Sequence, residues 1–436
     1  VRFIADLHVH SPYSRATSPA STLGGLCAWA RAKGVHVVGT GDFTHPSWMG
    51  KMQSLLEQAE PGLYQLKEEP ASDALPGLTP EGIPVRFLLT AEVSSIYKRG
   101  GRVRKVHNIL LVPDLESALR INRRLGAVGN IHSDGRPILG LDSRDLLEIL
   151  LEEAPEGFLV PAHIWTPWFS LFGSKSGFDS VEECFGDLSG YVFALETGLS
   201  SDPGMNRCIS ALDRFALISN SDCHSPRKLG REANLFDTEL SFHAIRDALR
   251  DPCRGFEGTV EFYPEEGKYH LDGHRKCEIS LEPAETGRMH CCCPACGRPV
   301  TVGVLNRVLE LADRNAPDYP ENTPPYHSLI PLDEVLSEIA GKGPGSKTVM
   351  ARYARLVSEF GSEFNLLLQT PVDVLQSKGE HVLAEALDRM RRGQVQKQGG
   401  YDGQFGTVRL FDDRELREFG LPVPKAAERR QQAGQQ

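Results

Sequence analysis

Asp6-Leu7-His8-Val9-His10-Ser11 ends a short apolar run, residues 2–6, at the start of the sequence. In extended backbone successive side chains point to opposite faces. His8 and His10 therefore stand on one side, where two imidazoles can share a metal ion. A lone His-x-His is weak, but the pattern continues. Asp42 and His45 follow the predicted strand 35–39, Glu92 follows 87–89 and His107 opens 107–112. His163 follows strand 157–162, and Asp222-Cys223-His224 follows 216–219. Between these strands, residues 23–33, 115–125 and 143–152 have helical spacing. Alternating strand and helix predicts an α/β barrel or layered α/β domain over the first 250 or so residues, with active groups near the C-terminal ends of strands.

Histidines mixed with carboxylates suit Zn2+, Mn2+ or Fe2+ better than Mg2+, which prefers oxygen ligands. His8, His10, Asp42, Glu92, His107, His163, Asp222 and His224 are too many for one ion. They predict two or three, with a carboxylate such as Glu92 shared. Clustered ions lower the pKa of bound water and neutralise charge in an in-line displacement, which fits phosphoester hydrolysis.

The 436 residues suggest two or three domains, and 40% hydrophobic with 24% charged is ordinary for a soluble globular protein. The net charge of −10, from 48 basic and 58 acidic residues, argues against a surface coated in Lys and Arg. There is no run of 18 apolar residues, so no membrane partner is expected. The first residues read as a strand and not as a secretory leader.

Four of the ten cysteines fall within Cys291–Cys296, which points to a metal site in a reducing cytoplasm and not to disulfides. His274-Arg275-Lys276-Cys277 and Cys293-Pro294-Ala295-Cys296-Gly297 form two pairs suited to tetrahedral structural Zn2+. His274 is the fourth ligand by spacing, with His270, His290, Cys291 and Cys292 as rivals. A Pro-rich stretch, 317–331, reads as a linker. Helical patterns follow over 332–340, 348–359 and 381–391, and 426–436 reads as a flexible tail.

Three features could contact DNA, and each has an ordinary alternative. Gly341-Lys342-Gly343-Pro344-Gly345-Ser346-Lys347-Thr348 follows a helix and puts Ser346 where a phosphate-binding loop needs glycine, so nucleotide binding is rejected. As a turn between two helices, it could hold a DNA phosphate through Gly343, Gly345, Ser346 and Lys347, or be a plain turn. Trp165 and Trp168, with Phe169 and Phe172, could stack on a base or pack the rim of the domain. Lys98 to Lys105, with Arg102, Arg104 and Lys105, forms a basic hairpin that could meet phosphates or only solvent.

Asp6-Leu7-His8-Val9-His10-Ser11, Gly41-Asp42, Glu92, His107, His163 and Asp222-Cys223-His224 resemble, in order and number, the motifs of the PHP (polymerase and histidinol phosphatase) superfamily. That resemblance implies a distorted (β/α)7 barrel with a trinuclear metal centre. Thr40-Gly41-Asp42 stands where many members carry Thr-Asp-His, so Asp42 would replace that histidine as ligand. Lys268 to Cys277, Cys293 to Cys296, Ala194-Leu195-Glu196-Thr197-Gly198-Leu199, Ser219 to Ser225, and Asn130 with Ser133-Asp134-Gly135-Arg136-Pro137 are similar to the endonuclease Q family. The implied domains are a PHP barrel over 1–255, a zinc module over 256–316, a linker over 317–331 and a helical DNA-binding domain over 332–425. The implied activity is a DNA repair endonuclease cutting 5′ to deaminated bases (uracil, hypoxanthine, xanthine) or abasic sites and leaving 3′-hydroxyl and 5′-phosphate ends. Asp222, His224, Glu92 and Glu196 would carry catalysis, with Glu196 and Asn220 behind the ligands. DNA is the implied partner, and a sliding clamp is a further candidate. The rival readings are a small-molecule phosphatase and a non-catalytic DNA-binding scaffold.

Overall fold

The computed structural model describes residues 1–68 and 84–423. Much of the expected excursion over 57–84, and the expected tail over 426–436, lie outside the described residues. The fold is mixed α/β. Its main sheet has eleven strands. Arg2–Asp6 lies near the middle, parallel to Val37–Gly39 and antiparallel to Ala233–Asp237. Val37–Gly39 continues parallel to Arg86–Arg99, which turns back antiparallel as Arg102–Val112, and Phe158–Pro161 pairs antiparallel with the latter. Ala194–Glu196 and Ala216–Ile218 form a separate parallel pair. The pairing is therefore mixed, and alternation of strand and helix in the sequence does not make every strand parallel.

Apolar runs explain where these strands lie. Phe87, Leu88, Leu89 and Ala91 are fully buried, and strands covered on both faces read as continuous apolar stretches. The helices have clear start signals. Thr22 accepts from Gly25 N–H at Leu23–Lys33, Asp114 from Ser117 N–H at Leu115–Val128, and Ser241 from Ala244 N–H at Phe242–Arg250.

Two expected strands are longer than their apolar runs. Residues 87–89 and 107–112 belong to Arg86–Arg99 and Arg102–Val112, so Glu92 and His107 sit inside a long hairpin and not at strand ends. The basic stretch around Lys98–Lys105 is the tip of this hairpin. The Pro-rich stretch 317–331 carries a strand, Tyr326–Ser328, that pairs parallel with Phe256–Glu261. Leu332–Ala340 and His381–Arg391 occur as expected, the helix expected over 348–359 runs Lys347–Phe360, and a short helix, Val372–Ser377, follows it.

A carboxyl sealed inside the sheet makes stability depend on pH. Burial pushes Glu261 up to about 8, against the hydroxyls of Thr259 and Thr197 that donate to it at 2.5 and 2.9 Å. The folded chain keeps this proton where the unfolded chain releases it. The Glu261 contribution is therefore whole below about pH 4.5 and is lost as pH rises towards 8. Glu261→Gln should gain in melting temperature relative to the parent between about pH 5 and about pH 9. A difference independent of pH would contradict this.

Candidate metal centre

His8, His10, Glu92 and Asp222 each bring a ligand atom to within 4.8 Å of one another, and Glu92, His107 and His163 do the same. Glu92 belongs to both groups. Its Oε2 lies 3.3 Å from His10 Nε2 and 3.6 Å from His8 Nε2, while its Oε1 lies 2.6 Å from His107 Nδ1 and 3.2 Å from His163 Nε2. Asp222 Oδ1 lies 2.9 Å from His10 Nε2.

The backbone places these groups locally. His10 N–H donates to the Cys223 carbonyl at 3.1 Å, which draws the His8–His10 segment against Asp222-Cys223-His224. In the hairpin, Glu92 is opposite Ile109 and His107 opposite Ser94. Asp42, His163 and Asp222 have φ values of 51°, 31° and 47°. Left-handed backbone at a non-glycine residue persists only where surrounding contacts impose it, and such residues gather at functional sites.

Burial and charge compete here. Burial pulls the His8 and His10 imidazoles down, but the carboxylates around them prevail and hold both well above the ordinary histidine range. His107 goes the other way, pushed down to about 4 by burial despite Glu92. Burial raises Glu92, yet His107, Arg136 and His8 hold it well below the usual carboxylate range. His8 Nε2, His10 Nε2 and Asp222 Oδ1 are buried. Asp222 Oδ1 faces His10 Nε2 at 2.9 Å and His8 Nε2 at 3.7 Å, but none of the three makes a hydrogen bond of ordinary geometry. Buried polar atoms are ordinarily well paired, so three that converge without good hydrogen-bond geometry fit a bound cation.

Further residues hold these side chains in place. Glu196 accepts from His163 N–H at 2.8 Å and Asn220 Nδ2 at 2.9 Å, and its Oε1 lies 3.0 Å from His8 Nδ1. Asp42, expected as a ligand, lies outside both groups. Its Oδ1 is 3.1 Å from His10 Nδ1, and its Oδ2 accepts from Ser11 N–H, Ser11 Oγ and Ser14 Oγ at 2.8, 2.6 and 2.8 Å. Gly135 packs on that carboxylate so closely that a Cβ would collide with it. His224 also lies outside the two groups, with its ring centroid 4.5 Å from that of His10 and its Nδ1 2.9 Å from the Asp222 carbonyl. His45 turns away to the His132 carbonyl at 3.0 Å.

Arg136 has no separate role in the sequence reading, yet its guanidinium lies 3.0 Å from Glu92 Oε2. Nothing in the spacing links residues 44 apart. The loop carrying Arg136 is fastened by Thr44 Oγ1 donating to the Gly135 carbonyl at 3.0 Å.

His274, Cys277, Cys293 and Cys296 form a third group within 4.8 Å. A hairpin, Asp272–His274 with Ile279–Leu281, presents His274 and Cys277. The N–H groups of Ala295 and Cys296 overcome burial and hold the Cys293 thiol down to about 7. His270, His290, Cys291 and Cys292 lie outside this group.

The candidate DNA contacts separate. Trp165 is fully buried and donates to Asn206 Oδ1 at 2.8 Å, so its ring belongs to the core and is not open to a base. Trp168 is 39% exposed, with its ring edge against Tyr269. Arg102 is exposed, whereas Arg104 lies over the Phe178 ring and Lys105 over Phe169. The turn of Gly343, Gly345 and Ser346 leads into Lys347–Phe360, where Ser346 caps the helix by accepting from Val349 N–H. Lys347 is exposed at the first helical position.

Residues 331–394 match the family described as the MJ0043 C-terminal domain. The chain is 33% identical over 252 residues to protein MJ0043 of Methanocaldococcus jannaschii, covering 56% of this chain and 31% of that protein. It is 30% identical over 310 residues to Bacillus subtilis YqxK, covering 70% of this chain and 74% of YqxK. The crystal structure of the lesion-specific endonuclease PfuEndoQ from Pyrococcus furiosus is similar with a TM-score of 0.81 and 30% identity, covering 98% of this chain and 100% of that one. A structure of endonuclease Q with a 27-mer duplex carrying an abasic lesion at the active site gives 0.81 and 31%, covering 96% and 98%. With nearly the whole length of both chains aligned at this identity, the protein belongs to the endonuclease Q family.

Proposed function

We propose that this chain is a metal-dependent DNA repair endonuclease that cuts the phosphodiester 5′ to a deaminated base or abasic site. The observation that carries the reading is the pair of His/carboxylate groups sharing Glu92, in a chain that aligns end to end with endonuclease Q. His8, His10, Glu92 and Asp222 would hold one divalent ion, and Glu92, His107 and His163 a second. Bound there, such ions would acidify a water and neutralise charge on the attacking and leaving oxygens at the phosphorus. The protein's part is to fix the ligands. Glu196 holds the His8 ring and the His163 backbone together. Asp42 fixes the ring of His10, an outer role in this reading and not that of a ligand. Arg136, a quarter exposed beside Glu92, would neutralise a phosphate oxygen entering the site.

The sheet that gathers these groups is read as a distorted PHP barrel. His274, Cys277, Cys293 and Cys296 would hold a structural Zn2+. A damaged nucleotide leaves the stack at less cost than a paired one, which favours lesions over intact bases. Trp168, Arg102 and the Gly343–Lys347 turn are the candidate grips on DNA. A sliding clamp remains a candidate partner from the resemblance alone.

The test is strand scission on an end-labelled duplex holding one deoxyuridine, using metal-loaded protein. A single cut 5′ to the uracil, absent with undamaged duplex and with Asp222→Ala, is expected. Turnover of a small phosphomonoester with no DNA cut would favour the phosphatase reading. Glu196→Gln should lower metal affinity or cleavage about 10- to 100-fold, because it loosens two ligands without removing one. Arg136→Gln should lower kcat by about 10² to 10³ while metal content stays full. An unchanged kcat would remove Arg136 from the reaction.

A further inference from the structure

The loop that carries Asp222 and His224 is held on two sides. It passes through a short turn, Pro226–Lys228, to Arg231. On its inner side, Asp6 accepts from Ser221 N–H at 3.1 Å and Gly230 N–H at 2.8 Å, and so ties the two ends of the loop together. On its outer side the loop meets the first helix of the C-terminal domain, Leu332–Ala340. Lys228 Nζ lies 2.9 Å from Glu334 Oε1, and Arg231 Nη2 lies 3.4 Å from the same oxygen. Arg227 Nε lies 3.4 Å from Asp333 Oδ2.

These contacts are poorly exposed. The Glu334 side chain is 12% exposed and that of Lys228 15%. Burial raises Glu334, but Lys228 and Arg231 prevail and keep its carboxyl low. Shielded ion pairs of this kind add little stability over apolar packing, but removing one partner strands the other charge. What they supply is a fixed geometry. The segment they fix begins at Asp222, whose φ of 47° needs support from outside its own backbone.

We propose that Lys228 and Glu334 are positioning residues for the metal-ligand loop, so that the helical domain sets where Asp222 and His224 stand. The proposal rests on Asp222 being a metal ligand. The same segment touches the candidate DNA turn, because a Cβ on Gly345 would fall 2.7 Å from Arg227 Nη1. The domain that offers a grip on DNA is thus also a support of the metal centre. Lys228 and Glu334 lie outside both His/carboxylate groups, and act through the loop.

The test uses the full chain with Lys228→Met, Glu334→Gln, the double variant and Lys228→Arg. Three quantities are read: hydrogen exchange of the Ser221–Arg231 amides in metal-free protein, zinc affinity by competition with a chelating dye, and kcat and KM on the deoxyuridine duplex. Lys228→Met and Glu334→Gln should each speed exchange in the loop and weaken zinc binding by about tenfold. They should also lower kcat with KM unchanged. The double variant should be no worse than the worse single, and Lys228→Arg should restore all three readouts. Unchanged zinc affinity and loop exchange, or an effect on KM alone, would overturn the proposal and leave the contact as a fastening between domains. If Glu334→Gln fails to fold, Lys228→Met carries the test, since Arg231 still faces Glu334. Zinc affinity and exchange need no DNA. A parent chain that fails to cut therefore counts against the endonuclease reading and not against this one.

Discussion

Burial of the Glu92 carboxylate is the constraint on which the site depends. It is 1% exposed and lies in the interior of a long strand. An ionised carboxylate is tolerated there only with close positive or donor partners. His8, His10, His107, His163 and Arg136 all lie within 3.6 Å of it. These five residues come from four separate stretches of chain. The sheet that aligns Arg2–Asp6, Arg86–Arg99, Arg102–Val112 and Phe158–Pro161 is what brings four of them to one point. Metal ions between these groups would complete the charge balance that the side chains begin.

The other parts of the molecule are joined to this centre and do not merely follow it. Lys33, on the first helix, is 2% exposed and lies 3.0 Å from Glu363, which follows the helix Lys347–Phe360. Glu363 also accepts from Tyr353 Oη at 2.7 Å and Leu332 N–H at 2.9 Å. Gly34, at φ 86°, ends that helix where a side chain would strike Ser362. The cysteine segment is tied in turn. Asp272 accepts from Gly303 N–H at 2.6 Å, and Tyr269 meets Trp168 from the loop after His163. The surfaces proposed to meet DNA are thereby fixed relative to the place where it would be cut.

Much of this was legible in the sequence. Period two in extended backbone put His8 and His10 together, and two Cys/His pairs at metal spacing marked the third group. The strand containing Glu92 was read as ending at residue 89 because Thr90, Glu92, Ser94 and Ser95 interrupt the apolar run. These polar residues are nonetheless buried, which hydrophobic patterning cannot register. Trp165 was a candidate for stacking on a base because an aromatic cluster in a loop looks the same whether it faces inward or outward. Asp42 has the residue type and order of a ligand. The hydroxyls of Ser11 and Ser14 meet one of its oxygens and His10 Nδ1 lies 3.1 Å from the other, contacts that residue type and order do not encode. Arg136 reaches Glu92 from a loop whose path is set by tertiary contacts with Thr44 and Tyr13, and no local pattern encodes that.

The central claim is that one buried carboxylate is shared by two metal sites. Anomalous diffraction at the zinc edge, on crystals of the parent chain and of Glu92→Gln, tests it most directly. The account predicts an anomalous peak among His8, His10 and Asp222 and another between His107 and His163. Both should be lost together in Glu92→Gln, while the peak among His274, Cys277, Cys293 and Cys296 remains. Survival of both of those peaks in Glu92→Gln, or a parent chain with a peak in only one of the two groups, would contradict it.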